Sequence, residues 1–378
     1  MKKVKIDNPF VVSGYVSPDY FCDRIGESET LSQNLTNGNN VTLFSPRRMG
    51  KTGLIHHVFN KLKERDPDIL TVYVDLMPTE SLSDFAGVFS SALINELYSS
   101  PKSLFKKALS VLSRLRPTIS FDPVSGESKF SVDIAKGEEQ ATVEQLLSFV
   151  GSCGKQFYIA FDEFQQIALY PEKNVEALLR SKIQLISNAH FIFSGSNLHM
   201  LSEMFISAKR PFYASTAIQN IGSIPCDPYY QFSSSFFEDK GRNLPEEVFR
   251  FLYDRFDGHT WYIQKVLNKI YSWQIEEVDE KSVMKAIKDI ISENEYYYQM
   301  MLRAYSRGQG RLMKAIAREG CIVEIFAGEF ISKYSLNATS SVRSAVKRLV
   351  DDELVYHDAK GYSIYDRFMA EWLKTQVI

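Results

Sequence analysis

The sequence predicts an α/β fold: a parallel sheet wrapped by helices, then an all-helical segment, then a small three-helix unit closed by a two-stranded wing. Three observations carry this reading. Short β-prone apolar runs alternate with stretches of helical periodicity through about residue 227, which is the pattern of a parallel sheet covered on both faces. From about residue 228 the strand-like runs give way to helical patterns, and from residue 305 the order is helix, helix, helix, strand, strand. The chain has 378 residues, 44% of them hydrophobic and 24% charged, so it can bury a sizeable core and is not a disordered polymer.

The first strand is Val41-Thr42-Leu43-Phe44, which breaks at Ser45-Pro46. After Gly50-Lys51-Thr52 the apolar residues resume as Leu54-Ile55, Val58-Phe59 and Leu62, at helical spacing. A second strand runs from Leu70 to Asp75, and a long helical pattern from Phe85 to Tyr98 follows it. Residues 117–135 interrupt the alternation: Thr118–Phe121 and Lys129–Val132 show period two around Asp122-Pro123-Val124-Ser125-Gly126, the signature of an inserted β-hairpin. A helix is expected from Thr142 to Val150, buried strands at Phe157–Phe161 and His190–Ser194, and a fifth strand near Ala217–Ile221. Helical patterns then cover Pro245–Phe256, Thr260–Trp273 and Glu280–Tyr298. The last unit reads as helices Gly310–Arg318, Gly328–Tyr334 and Ser340–Asp352, with Leu354–His357 and Tyr362–Ile364 as a wing turning at Lys360-Gly361. The expected division is 1–227 as the α/β core, 228–304 as a helical lid and 305–378 as a winged helix.

Charge and cysteine usage narrow the class. Lys plus Arg total 44 against 46 for Asp plus Glu, a formal net charge of −2, which excludes a globally basic nucleic-acid coat or a polybasic membrane binder. Cys22, Cys153, Cys226 and Cys321 stand singly with no CxxC pair, so neither a zinc site nor a disulfide framework is expected. The first residues reach Asp7 and Pro9 before any apolar stretch develops, and nowhere do ~18 uncharged apolar residues run together. A cytoplasmic protein with no signal peptide and no membrane partner is the expectation.

The chemistry concentrates in two places. Ser45-Pro46-Arg47-Arg48-Met49-Gly50-Lys51-Thr52 lies between a strand and a helix, the setting of a phosphate-binding loop of pattern G-x-x-x-x-G-K-[ST]. The loop from Pro46 through Gly53, with its backbone N–H groups from Arg47 onward, and the helix N-terminus would cradle phosphate oxygens. Lys51 would bridge the outer phosphates, and the Thr52 hydroxyl would ligate Mg²⁺. Ser45 replaces the first glycine, so the turn must be made there without glycine's freedom. The plain alternative is that Gly-Lys-Thr merely starts a helix. Against it stands Phe157-Tyr158-Ile159-Ala160-Phe161-Asp162-Glu163, a buried strand delivering two acids to the carboxyl edge of a parallel sheet, where ligands bind. Asp162 would hold Mg²⁺ and Glu163 would polarise an attacking water. Ser194-Gly195-Ser196-Asn197 ends the next strand, where Ser196 or Ser194 could sense a terminal phosphate or simply shape a turn.

These motifs, with Phe21-Cys22-Asp23-Arg24 and Glu27 ahead of the first strand, resemble the AAA+-related STAND ATPases, and more narrowly the prokaryotic and archaeal group with an Arg-Arg-x-Gly-Lys-Thr loop and a C-terminal winged helix. The resemblance implies an AAA+-like P-loop ATPase core binding ATP or ADP with Mg²⁺, hydrolysing slowly, and acting as a molecular switch whose lid and winged helix respond to nucleotide. It places Arg24 near the adenine or ribose and implies self-association or a protein partner. Gly258-His259-Thr260 takes the place of the family's Gly-x-Pro lid sensor, with Thr260 for proline. Arg210 is a candidate arginine finger or a structural arginine.

The rival reading is a DNA-binding regulator or mobile-element protein whose affinity nucleotide tunes, because Arg343, Lys347 and Arg348 fall at i, i+4 and i+5 on the third helix of the winged unit. Phe368, Trp372 and Leu373 form an apolar stripe on the last helix, expected in the core.

Overall fold

The computed structural model describes residues 6–98, 105, 116–121, 128–358 and 360–377. It contains two compact units, one built around Ser13–Pro228 and one from Asp7–Val12 together with Tyr229–Ile378. Among the described residues no helix is long and apolar enough to cross a membrane.

The first unit runs α1 (Ile25–Thr36), β1 (Val41–Phe44), α2 (Lys51–Arg65), β2 (Leu70–Asp75), α3 (Leu82–Tyr98), β3 (Arg116–Phe121), β4 (Ser128–Asp133), α4 (Glu139–Ser152), β5 (Phe157–Asp162), a 3-10 turn (Phe164–Leu169), α5 (Val175–Ile183), β6 (Ala189–Gly195), α6 (Leu198–Ile206) and β7 (Ala217–Asn220). Its five-stranded sheet has the order β2-β5-β6-β1-β7 with parallel pairing throughout, as expected for strands joined by helical crossovers. Although β5 is buried along its whole length, period two still sorts it. Phe157, Ile159 and Phe161 pack with α3, α4 and α5 on one face, whereas Tyr158 and Ala160 pack with α1 and α2 on the other. The hairpin β3–β4 is antiparallel, Arg116 opposite Asp133; its expected turn Asp122–Gly126 lies outside the described residues.

Helix α1 escaped the sequence reading because half its buried stripe is polar: Ser28 and Ser32 stand beside Leu31 and Leu35. The short helices α5 and α6 offer too few turns for periodicity to show.

The second unit contains α7 (Cys226–Glu238), in whose first turn the unit boundary falls, then α8 (Glu246–Arg255), α9 (Thr260–Ser272) and α10 (Glu280–Arg303). A winged helix follows: α11 (Arg307–Glu319), α12 (Gly328–Lys333), α13 (Thr339–Asp351), β8 (Val355–Asp358), β9 (Gly361–Ile364) and α14 (Arg367–Thr375). The long α10 continues past Tyr298 to Arg303. In the wing Asp358 pairs with Gly361, so Gly361 is a strand residue and the turn comes earlier than Lys360-Gly361. Ile322 adds a third short pairing, exchanging hydrogen bonds with Tyr362 at 2.9 and 2.8 Å.

The α14 stripe is core, as its spacing predicts. Phe368, Trp372 and Leu373 are buried, Phe368 against the rings of Phe256 and Tyr262, and Trp372 against Tyr298. The strap Asp7–Val12 completes this unit. Phe10 is fully buried against Phe236, Phe237 and Tyr271, Asn268 donates to its carbonyl at 2.9 Å, and the Trp261 indole donates to the Val12 carbonyl at 2.9 Å.

Candidate functional site

The parallel sheet brings the ends of β1, β5 and β6 to one edge. In register, Leu43 lies opposite Ser194 and Phe44 opposite Gly195, while Phe161, one residue before Asp162, lies opposite Phe193. The loop after β1 therefore faces the acids after β5 across the tip of β6.

Ser45 is buried and is not among the residues with positive φ; the left-handed positions of the loop are Arg48 (φ 64°) and Gly50 (φ 95°). The missing first glycine thus removes nothing the turn uses. Gly50 leads directly into α2, whose first residue, Lys51, is 6% exposed. The Lys51 ammonium donates to the Ser45 carbonyl at 3.0 Å and the Pro46 carbonyl at 3.2 Å. Burial pushes its pKa down, opposed by the charges of Asp162 and Glu163. Met49 is buried, and its carbonyl accepts from the Arg24 guanidinium at 3.0 Å; Arg24, 2% exposed, is also paired with Glu27 at 2.7 Å. That is where the structure puts Arg24: behind the loop, tying it to the start of α1. The ring of Phe21 packs so closely on Gly53 that a Cβ there would sit 3.2 Å from it.

Asp162, 5% exposed, collects donors from three elements. Thr52 donates to Oδ2 at 2.9 Å, Tyr73 of β2 to Oδ2 at 2.6 Å, and Ser194 of β6 to Oδ1 at 2.6 Å, and the Glu163 N–H adds a fourth contact at 3.1 Å. Tyr73 is the residue that sequence reading missed, since a tyrosine inside a β-prone run looks like core. Burial, then the Asp162 charge, pushes its phenol pKa far up, so it stays a donor. The Thr52 hydroxyl and the Asp162 carboxylate converge as hard oxygen donors of the kind Mg²⁺ takes alongside phosphate and water.

Glu163 adopts φ 53°, an uncommon conformation for a non-glycine residue, and this turns its carboxylate toward β6. There Oε2 accepts from Gln165 Nε2 at 2.6 Å, Ser196 N at 3.1 Å and Ser196 Oγ at 2.7 Å. Arg47 Nε in turn donates to Ser196 Oγ at 3.0 Å. Close approach of Gln165 requires a glycine at 195, where a Cβ would meet Oε1 at 2.0 Å. The edge thus gathers Thr52, Asp162, Glu163, Ser194, Ser196 and Arg47 into one hydrogen-bonded set, with the Lys51 ammonium held on the backbone of the same loop.

The other candidates lie elsewhere. Arg210 pairs with Glu176 and, at 3.4 Å, with Glu203. Thr260 opens α9, its hydroxyl buried with no hydrogen-bond partner among the described residues and its carbonyl accepting from Tyr229 at 3.2 Å. In the winged helix Arg343, Lys347 and Arg348 are all exposed; Arg343 lies over the ring of Phe326 at 4.5 Å and Arg348 pairs with Asp352 at 2.6 Å.

Comparison with known proteins agrees with this architecture. The family described as a probable winged helix domain matches residues 296–375. No curated protein matches the chain. Among solved structures it is similar to a Walker-type ATPase of Pyrococcus abyssi, at 18% identity and a TM-score of 0.64, covering 97% of this chain and 99% of that one. It is also similar to the Aeropyrum pernix ORC1 protein, solved in complex with DNA, at 15% identity and a TM-score of 0.54 over 97% and 96% of the two chains. The ORC2 protein of the same organism, solved as ADPNP and ADP complexes, gives 15% and 0.52 over 98% of each. At such identities the likeness concerns the fold alone, a five-stranded parallel sheet with its helices followed by a winged helix.

Proposed function

We propose that the chain is an ATP-binding, slowly hydrolysing ATPase of AAA+ type and, within that type, a STAND-like molecular switch. The observation that carries the nucleotide reading is the contact of Thr52 with Asp162 beside a buried Lys51: a loop hydroxyl, a strand-end carboxylate and an ammonium converge at a helix N-terminus. In this reading the N–H groups of the loop from Arg47 to Gly53 hold the phosphates and Lys51 neutralises them. Mg²⁺, held by Thr52 and Asp162, would neutralise charge on the outer phosphates. Glu163 accepts the proton of the attacking water, and Ser196 holds that carboxylate in place. The division into a core (1–227), a helical lid (228–304) and a winged helix (305–378) is part of the same proposal, and its coupling to nucleotide state follows from the family resemblance. A second reading, DNA binding through the winged helix, is compatible with Arg343, Lys347 and Arg348, which are all exposed on α13.

The test is titration with Mg-ATP and measurement of phosphate release, with particle mass recorded in each nucleotide state. Lys51→Ala should abolish binding. Glu163→Gln should keep ATP bound and slow turnover by about 10² to 10⁴-fold. A wild-type protein that takes up no ATP would remove the reading at its foundation.

A further inference from the structure

The loop carries two arginines, Arg47 and Arg48, that the phosphate-binding pattern does not require, and it is Arg47 that donates to Ser196. We propose that Arg47 supplies, from within the same chain, the guanidinium that neutralises charge on the transferred phosphoryl group; this rests on the ATPase reading above. In that step a water oxygen bonds to the γ-phosphorus. The bond from that phosphorus to the β,γ-bridging oxygen breaks, with its electron pair staying on ADP. The water proton passes to the Glu163 carboxylate and then to solvent. Charge spreads over the transferred group's oxygens, where a guanidinium is worth about 10³ to 10⁵ in rate.

Two observations place Arg47 there. It belongs to the phosphate loop itself, immediately after Pro46, whose carbonyl holds the Lys51 ammonium. Its Nε lies 3.0 Å from Ser196 Oγ, which lies 2.7 Å from Glu163 Oε2, so the guanidinium stands one hydroxyl away from the group that takes the water proton. The competing arginine of this unit, Arg210, is committed to Glu176 and Glu203. A bidentate fork suits a phosphoryl group in a way an ammonium does not, which makes Arg47→Lys an informative change as well as Arg47→Ala.

The full-length chain should be assayed for ATP affinity, single-turnover phosphate release and trapping of ADP with aluminium fluoride, over about a hundredfold range of protein concentration. Expected are ATP affinity within about threefold of wild type for Arg47→Ala and Arg47→Lys, release slowed by about 10³-fold, and loss of the trapped ADP–aluminium fluoride complex. Added guanidinium ion should partly restore release by Arg47→Ala, which a purely structural role would not allow. Arg210→Lys should release phosphate at the wild-type rate, and the wild-type rate per molecule should not depend on protein concentration. Wild-type turnover in Arg47→Ala would overturn the proposal, as would a rate per molecule that climbs with concentration, the mark of an arginine donated by a neighbour. If the wild type binds no ATP, the nucleotide reading fails first; if it binds and turns over while Arg47→Ala is unaffected, only the role of Arg47 fails.

Discussion

Asp162 shows what the site asks of single residues. A buried carboxylate needs donors, and it draws them from α2, β2 and β6 at once through Thr52, Tyr73 and Ser194. Two of the three could be named from the sequence, because Thr52 belongs to a motif and Ser194 ends a strand; Tyr73 could not, because its partner is 89 residues away. His57 makes a second residue-scale case. It stacks on Phe21 at 4.4 Å, meets the Tyr15 hydroxyl at 3.2 Å, and burial pulls its pKa down to about 4. The unfolded value is near 6.5, so the fold favours the neutral ring. That stabilisation is complete above pH 6.5 and is lost as the pH falls from 6.5 through 4, to a ceiling of ~3 kcal/mol. Urea midpoints measured across this window should fall less for His57→Phe than for wild type. Parallel curves would show that His57 titrates as it does in the unfolded chain.

At the scale of elements, the wing depends on one glycine. Gly361 has φ 129°, and a Cβ on it would lie 2.3 Å from the Ile322 carbonyl oxygen, the strand-like partner of Tyr362. Gly361→Ala must therefore both strain the backbone and push Ile322 away, and should cost about 2–4 kcal/mol. Trp261, Trp273 and Trp372 are the chain's three tryptophans and all belong to the second unit, so denaturation followed by tryptophan emission reads this loss directly. An unchanged midpoint would mean that the Ile322 pairing contributes nothing. The sequence signalled a turn here but not its register, since register depends on which backbone comes to lie beside the strand.

At the scale of the whole molecule, the N-terminal strap is the feature that no local pattern announces. Asp7–Val12 has neither helical nor strand periodicity, yet it delivers Phe10 into a cage of Phe236, Phe237 and Tyr271, more than 220 positions away. Phe10→Ala should destabilise the second unit by about 3–5 kcal/mol, again read by tryptophan emission. A loss below ~1 kcal/mol would show that the cage closes over the gap.

Most of the architecture could be read from the residues alone: the parallel core from its alternating strands and helices, the placing of the loop after β1 and the acids after β5 at one sheet edge from motif spacing, the buried stripe of Phe368, Trp372 and Leu373 from helical periodicity. These are local signals, set by backbone geometry and by the period at which apolar side chains recur. Contacts between distant segments were settled only by folding: Tyr73 on Asp162, Arg24 on the Met49 carbonyl, Arg47 on Ser196, Phe10 in its aromatic cage. The physical reason is the same in each case. A hydrogen bond or a buried ring takes its partner from whatever the sheet order and helix packing bring within a few ångströms, and sequence separation carries no record of that distance.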